Sequence, residues 1–257
     1  MSTESGVRVD RDGAVATVTL CRPEVLNAQT PATWAALRDI GAGLPGDVRV
    51  VVIRGEGRSF SAGLDRAAFT GAPTAGGPSF PEMAKLPEAE CEAVIAGYQE
   101  GFTWLRRPDI VSVAAVQGHA IGAGFQLALA CDLRILADDA QLSMAETTLG
   151  LVPDLTGTKP LVDLVGPARA LEICLTGRRV AAAEAERIGL ANLVVAREGL
   201  DGAVADLTAA LLAPLRNAVI ETKALLQGAP DRDRAAQEAA ERAAQTRRLR
   251  DLAGVGE

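Results

Sequence analysis

Two runs of apolar residues, 50–53 (Val-Val-Val-Ile) and 110–116 (Ile-Val-Ser-Val-Ala-Ala-Val), constrain this chain most. Neither alternates apolar with polar positions. Such continuous, β-branched runs read as strands buried on both faces, the habit of a parallel sheet covered by helices. The fold class they predict is α/β. Each run leaves its strand through a glycine-punctuated turn. The first exit is Arg58-Ser59-Phe60-Ser61-Ala62-Gly63-Leu64-Asp65. The second is Gln117-Gly118-His119-Ala120-Ile121-Gly122-Ala123-Gly124-Phe125-Gln126, which runs straight into a helix. A glycine turn after a strand is ordinarily just a turn. Two of them can also aim backbone N–H groups at one point, which is what holding an oxyanion requires.

Local signals place the other elements. Residues 7–9 and 15–20 predict an antiparallel pair joined through Asp12-Gly13. Thr30 followed by Pro31 opens a helix that runs to about residue 44. Further helices are expected at about 90–105, 124–130, 158–165, 168–176 and 182–188, with a helical turn at 146–149. Strands are expected at 133–137 and 193–195. After about Gly199 the chain is Ala-rich and reads as helical to about Leu252. This divides it into a core, 1–197, and a helical C-terminal region, 198–257. Residues 70–90, rich in Gly, Pro and Ala, read as a mobile loop or lid.

The 257 residues are 48% apolar, enough for a full core. A net charge of −7 argues against nucleic acid as a partner, yet leaves room for a local basic patch facing an anionic ligand. Of 26 basic residues only Lys85, Lys159 and Lys223 are lysines, an Arg and Ala bias that fits a GC-rich bacterial source. Cys21, Cys91, Cys131 and Cys174 form no CxxC pair and read as small apolar residues in a reducing cytosol. The first residues are polar and no apolar run reaches spanning length, so a cytoplasmic protein without a membrane partner is expected. No His/Cys/Asp group has metal spacing, and Gly122-Ala123-Gly124 is too short for a dinucleotide turn, so no metal is expected.

Five segments, in order, resemble motifs of the crotonase superfamily, the enoyl-CoA hydratase/isomerase family. They are Arg22-Pro23-Glu24-Val25-Leu26-Asn27-Ala28, residues 60–65, residues 118–126, Glu146-Thr147-Thr148-Leu149-Gly150-Leu151-Val152-Pro153, and residues 175–185 continued by Ile188-Gly189-Leu190. The match spans roughly residues 5–230. The resemblance implies a spiral of ββα units, with the helical C-terminal region serving trimer assembly, as a homotrimer or a dimer of trimers. It implies a CoA thioester as substrate, coenzyme A being part of that substrate and no cofactor being held permanently. It implies an enolate held by the backbone N–H groups of Leu64 and Ala123. Val25, Ala28, Ala62, Gly63, Asp65 and Gly122 resemble positions that line the CoA arm or the substrate. Arg22, Arg66 and Lys223 are candidate phosphate contacts, against the ordinary role of a solvated surface charge.

Hydratases of this family use two Glu residues to handle water. The first position falls on Gln126, which is no acid or base near neutral pH but can orient a substrate or water. The second falls on Glu146, which also stands at capping-box spacing from Ser143. Asp154 follows, where many of these hydratases have Gly. A carboxylate there resembles the isomerases of the superfamily, which move a proton along the acyl chain; an Asp N-cap is its other reading. A pair at 146 and 154 without a base at 126 favours proton shuttling over water addition. A one-carboxylate hydratase, another crotonase-type thioester chemistry and a non-catalytic acyl-CoA binder stay open. The one histidine, His119, reads as a packed structural residue. The chain also lacks the family's usual C-terminal tail motif after residues 247–251.

Overall fold

The computed structural model describes residues 5–69 and 75–254. The chain enters as a hairpin, β1 (Val7–Asp12) against β2 (Val15–Leu20), turned at Gly13 with φ 54. Helix α1 (Pro31–Ala42) follows, opened by Thr30: its Oγ1 accepts from Thr33 N at 3.3 Å, while Thr30 N donates to Thr33 Oγ1 at 3.2 Å. Then come β3 (Val50–Gly55), α2 (Phe80–Met83), α3 (Glu88–Thr103), β4 (Val111–Val116), β5 (His119–Ile121) and α4 (Ala123–Ala130). The chain continues through β6 (Leu133–Ala137), β7 (Gln141–Ser143), α5 (Thr158–Val165), α6 (Pro167–Thr176), β8 (Val180–Ala181), α7 (Ala182–Arg187) and β9 (Leu193–Val195). It closes with α8 (Leu200–Leu212), α9 (Arg216–Gly228) and α10 (Arg234–Leu252).

The main sheet runs β1-β2-β3-β4-β6-β9, parallel from β2 onward. A smaller sheet runs β5-β7-β8. Parallel bridges at Ser61 to Ala120 and Gln29 to Leu64 extend that second layer. Successive circuits thus lay a strand in the large sheet and a short pairing in the small one before a helix returns the chain. This is the ββα spiral that the motifs implied.

The two faces of the large sheet explain why its strands do not alternate. Val18, Val51, Ile53, Ala114, Val116 and Leu136 belong to one apolar cluster with α1 and α4. Val50, Val52, Val113, Ala115, Ile135 and Ala137 belong to another with Leu200, Val204 and Leu207 of α8. Both faces are dry, so apolar residues fill nearly every position of β3 and β4, with Ser112 and Arg54, near the end of β3, as the exceptions. Burying one such side chain contributes about 1.5–3 kcal/mol.

Several expectations need correction. Strands β5, β7 and β8 are absent from the sequence expectations: they are two or three residues long and, unlike the all-apolar Leu193–Val195 of β9, β5 and β7 include His119, Gln141 and Ser143. The C-terminal region is three helices, interrupted near Pro214 and again at Asp233, whose Oδ1 caps α10 through Ala236 N at 2.8 Å. In the 70–90 segment, residues 70–74 lie outside the described residues. The rest holds α2, with Met83 buried, Ser79 and Glu82 in a capping box, and the Phe69 and Phe80 rings edge-on at 4.9 Å. Among the described residues no single helix is long and apolar enough to cross a membrane.

Candidate active site

The first glycine turn is zipped onto the second. Ser61 N donates to His119 O at 2.8 Å and Ile121 N donates to Ser61 O at 3.0 Å. Gly63, at φ 88, lets the chain pass so close that a Cβ there would lie 2.5 Å from Ile121 O and 3.6 Å from Ala123 N. Gly122 N donates to Ser143 O at 2.8 Å, which anchors the start of α4 beside β7. Ala123 is the first residue of α4, so its N–H has no partner inside the helix. Leu64 N makes no backbone bond among the described residues either, since its neighbours carry the bridge to Gln29: Gln29 N to Gly63 O at 2.7 Å and Asp65 N to Gln29 O at 2.8 Å. Two unclaimed donors therefore lie on adjoining segments, one of them at the positive end of a helix. Such a pair can hold a developing oxyanion.

Glu146 approaches the same place. It is 8% exposed and sits against Gly122, where a Cβ would lie 3.2 Å from its Oε1. Its Oε1 accepts from Gln126 Nε2 at 2.7 Å. Its Oε2 is buried with no hydrogen-bond partner among the described residues. Burial pushes the Glu146 carboxyl above its ordinary range, against the Gln126 hydrogen bond that favours the ionised form; Asp154 adds to the rise. Asp154, half-buried, is likewise pushed up by burial. The capping-box use of Glu146 does not occur: Ser143 Oγ donates to Gly177 O at 2.7 Å instead, and the turn at 146–149 has no side-chain cap. Nor does Asp154 cap a helix, because α5 begins after Gly157.

Gln126 corrects the sequence reading. It is fully buried, and its Oε1 accepts from Leu155 N at 2.8 Å and Gly157 N at 3.2 Å. With Nε2 on Glu146, its amide already has partners at both ends. It orients protein groups through its carbonyl oxygen and one N–H of its amide.

The CoA-side candidates mostly come together. Ala62 N donates to Leu26 O at 2.8 Å, and the Gln29 bonds described above continue that zipper, so Val25 and Ala28 lie along Ala62, Gly63 and Asp65. Arg22 is a clip here: Nη1 donates to Ala28 O at 2.9 Å and Nη2 pairs with Asp65 Oδ2 at 3.0 Å. Arg66 is exposed and forms no ion pair among the described residues. Lys223 does not belong with them. Its Nζ donates to Arg107 O and Ile110 O, each at 2.7 Å, and to Asp132 Oδ2 at 2.6 Å, which uses all three of its protons to fasten α9 to the sheet. A phosphate has nothing to bind there.

Other residues support the site without having been singled out. Asn27, 1% exposed and at φ 55, donates to Glu56 O at 2.9 Å and Ser59 O at 2.8 Å, joining the first motif to the first glycine turn. Thr156 has φ 69, strained for a β-branched residue, and stands between the two N–H groups that Gln126 holds. No sequence signal marks it. His119 is half-buried with Nδ1 3.3 Å from Arg179 Nη1; burial and the neighbouring Arg179 and Arg58 push it below its ordinary range. It supplies the site only its carbonyl. A cavity of about 1010 Å³ opens between α9 and the turn from α4 to β6, but its lining includes neither Glu146, Asp154, Leu64 nor Ala123.

The sequence profile described as enoyl-CoA hydratase/isomerase matches residues 10–251. The carnitinyl-CoA dehydratase of Citrobacter koseri is 36% identical over 217 residues, 82% of this chain and 77% of the relative. A candidate enoyl-CoA hydratase of Mycobacterium tuberculosis, echA8, is 34% identical over 200 residues, 77% of this chain and 72% of the relative. A candidate enoyl-CoA hydratase from Thermobifida fusca YX, solved in complex with CoA, superposes with a TM-score of 0.93 at 53% identity, covering 98% of this chain and 96% of that one. Its complex with acetoacetyl-CoA gives 0.94 at 54% identity, covering 97% and 96%. A profile match along nearly the whole chain, laid over a ββα spiral, makes this protein a member of the enoyl-CoA hydratase/isomerase family, within the crotonase superfamily.

Proposed function

We propose that the protein moves the double bond of an enoyl-CoA thioester by proton shuttling. The thioester oxygen lies between the N–H groups of Leu64 and Ala123, and charge that develops there as an α- or γ-proton leaves is met by two donors already in place. Glu146 Oε2 and the Asp154 carboxylate carry the proton. Val25, Ala28, Ala62, Gly63, Asp65 and Gly122 line the bound thioester, and Arg66 faces its phosphates with Arg22 behind it. The CoA complexes of the Thermobifida fusca protein support a CoA thioester as ligand. The observation that carries the reading is the pair of carboxyls at 146 and 154: both are raised by burial and form no ion pair among the described residues, while position 126 is an amide whose carbonyl is held by two backbone N–H groups, so water is not bracketed by two carboxylates at 126 and 146.

A second reading, a hydratase or dehydratase working with Glu146 alone, is favoured by the relatives that carry those names. Supplying a 3-enoyl-CoA and a 2-enoyl-CoA separately and resolving the products decides between them. Interconversion of the two supports the isomerase. A 3-hydroxyacyl-CoA as the main product supports the hydratase.

The C-terminal region beyond residue 197 serves self-association in the same proposal. Leu215, Leu226, Leu249 and Leu252 are 57–71% exposed on its helices and connections, an apolar surface that a trimer would cover. Sedimentation at equilibrium tests it, and a monomer at micromolar concentration would exclude it.

A further inference from the structure

We propose that Gln126 is a positioning residue that keeps Glu146 in its proton-accepting form and makes Oε2 the atom that exchanges protons. The inference rests on the reading of Glu146 as a proton carrier.

The orientation of the Gln126 amide follows from its neighbours. Leu155 N and Gly157 N are both donors, so the group between them must be the carbonyl oxygen. The NH2 group is thereby left to face Glu146 Oε1, 2.7 Å away. An NH2 group only donates. A proton on Oε1 would set O–H against N–H, so Oε1 stays an acceptor. The proton-exchanging atom is then Oε2, which is buried and has no partner of its own.

Apart from a backbone hydrogen bond at Glu146 itself, which favours the charged form more than Gln126 does, charge at Glu146 has little other support. The titratable groups that bear on it are the Asp154 carboxyl, from the following turn, and the Cys174 thiol of α6. Neither is a cation. The hydrogen bond from Gln126 is the one side-chain contact that favours the ionised form, against burial and Asp154.

The same amide sets the turn behind Asp154. Its two backbone bonds flank Thr156, held at φ 69. Gly157 must lack a side chain here, since a Cβ would meet Gln126 Cγ at 2.6 Å. On the other side, Gln99 Nε2 of α3 donates to Asp154 O at 2.8 Å. Relaxing the strained turn breaks the Gln126 bonds and releases both carboxylates from their relation to one another.

A carboxylate at position 126 reverses the arrangement. In Gln126→Glu one oxygen keeps the two backbone N–H donors and stays ionised. The other faces Glu146 Oε1, and two carboxylates at that distance retain one proton between them. Glu146 then starts protonated, as an acid.

The test is a pH titration of side-chain carboxyls in protein labelled with [13C]glutamate, with the Glu146 signal assigned by its loss in Glu146→Gln. In Gln126→Glu its midpoint should rise by about one pH unit or more. In Gly157→Ala, which displaces the amide and serves if the first variant does not fold, it should also rise. Turnover of but-3-enoyl-CoA should show the same movement of its acid limb in Gln126→Glu, with the rate recovering above it. A Glu146 midpoint equal to wild type in the folded variants overturns the inference. Turnover undiminished in Glu146→Gln overturns instead the reading it rests on, whatever the titration shows.

Discussion

Gly63 and Ile121 are held so close that any side chain at residue 63 would strike the Ile121 carbonyl, 2.5 Å from where a Cβ would stand. That contact brings the turn that carries Leu64 N–H against the start of the helix that carries Ala123 N–H, the two donors proposed for the thioester oxygen. Leu64→Pro deletes one donor and should lower kcat by about 10²–10³, the usual cost of one oxyanion donor. Leu64→Ala keeps the N–H and should cost far less. Circular dichroism must first show the proline variant folded. Equal losses in the two variants would mean that the side chain, not the N–H, does the work.

The raised carboxyls make a stability prediction. Burial leaves Glu146 and Asp154 holding protons more tightly in the native state than in the unfolded chain. The native state therefore binds more protons in the window between the ordinary carboxylate range and the raised values. Stability falls as pH climbs through that window and stays lower above it. Glu146→Gln and Asp154→Asn remove this cost, so both unliganded variants should melt above wild type near pH 7. The gap should close as the pH falls below the ordinary carboxylate range. Melting curves across pH check it; variants less stable than wild type at neutral pH would show that the charges are stabilised by something other than Gln126.

Lys223 should matter for folding and not for the substrate. Lys223→Met takes the ammonium from the half-buried Asp132 carboxylate, which keeps only the Ser112 N–H and hydroxyl, and leaves the Arg107 and Ile110 carbonyls without that donor. Losing one partner of such a pair costs about 3–5 kcal/mol, read by urea unfolding. Thioester affinity of the folded fraction should not change. Intact stability with weakened affinity would return Lys223 to the phosphates.

Tyr98 of α3 packs its ring against Trp34, with centroids 4.8 Å apart, yet its hydroxyl is buried and unpartnered among the described residues. An unmet buried hydroxyl is a cost. Tyr98→Phe should therefore gain about 1 kcal/mol in denaturant unfolding. A loss of similar size would reveal a partner for the hydroxyl.

Much of the fold could be read from strands such as β3 and β4, because burial on both faces leaves long apolar runs that only Ser112 and Arg54, near the end of β3, interrupt. The short pairings of β5, β7 and β8 left no such mark. Leu64 and Ala123 could be proposed only through their motifs, since backbone donors put no demand on side-chain identity. The substitution at Gln126 was visible, but its meaning was not: the N–H groups it holds lie 29 and 31 residues away, in a turn whose strained residue is an unremarkable Thr. Lys223 was misread for a similar reason. Its three acceptors come from two distant segments, and a lone Lys on a helix looks the same whether solvated or buried.

Passage of a proton along the acyl chain by Glu146 and Asp154 is tested by following but-3-enoyl-CoA in deuterated water by NMR, with wild type beside Glu146→Gln and Asp154→Asn. The wild type should migrate the double bond, with deuterium appearing on the acyl carbons. Each variant should be slower by about 10²–10⁴, the range for a lost proton-transfer group, with little change in thioester affinity. Fast hydration of the conjugated thioester by the wild type, unchanged in Asp154→Asn, would contradict it and leave a hydratase built on Glu146 alone.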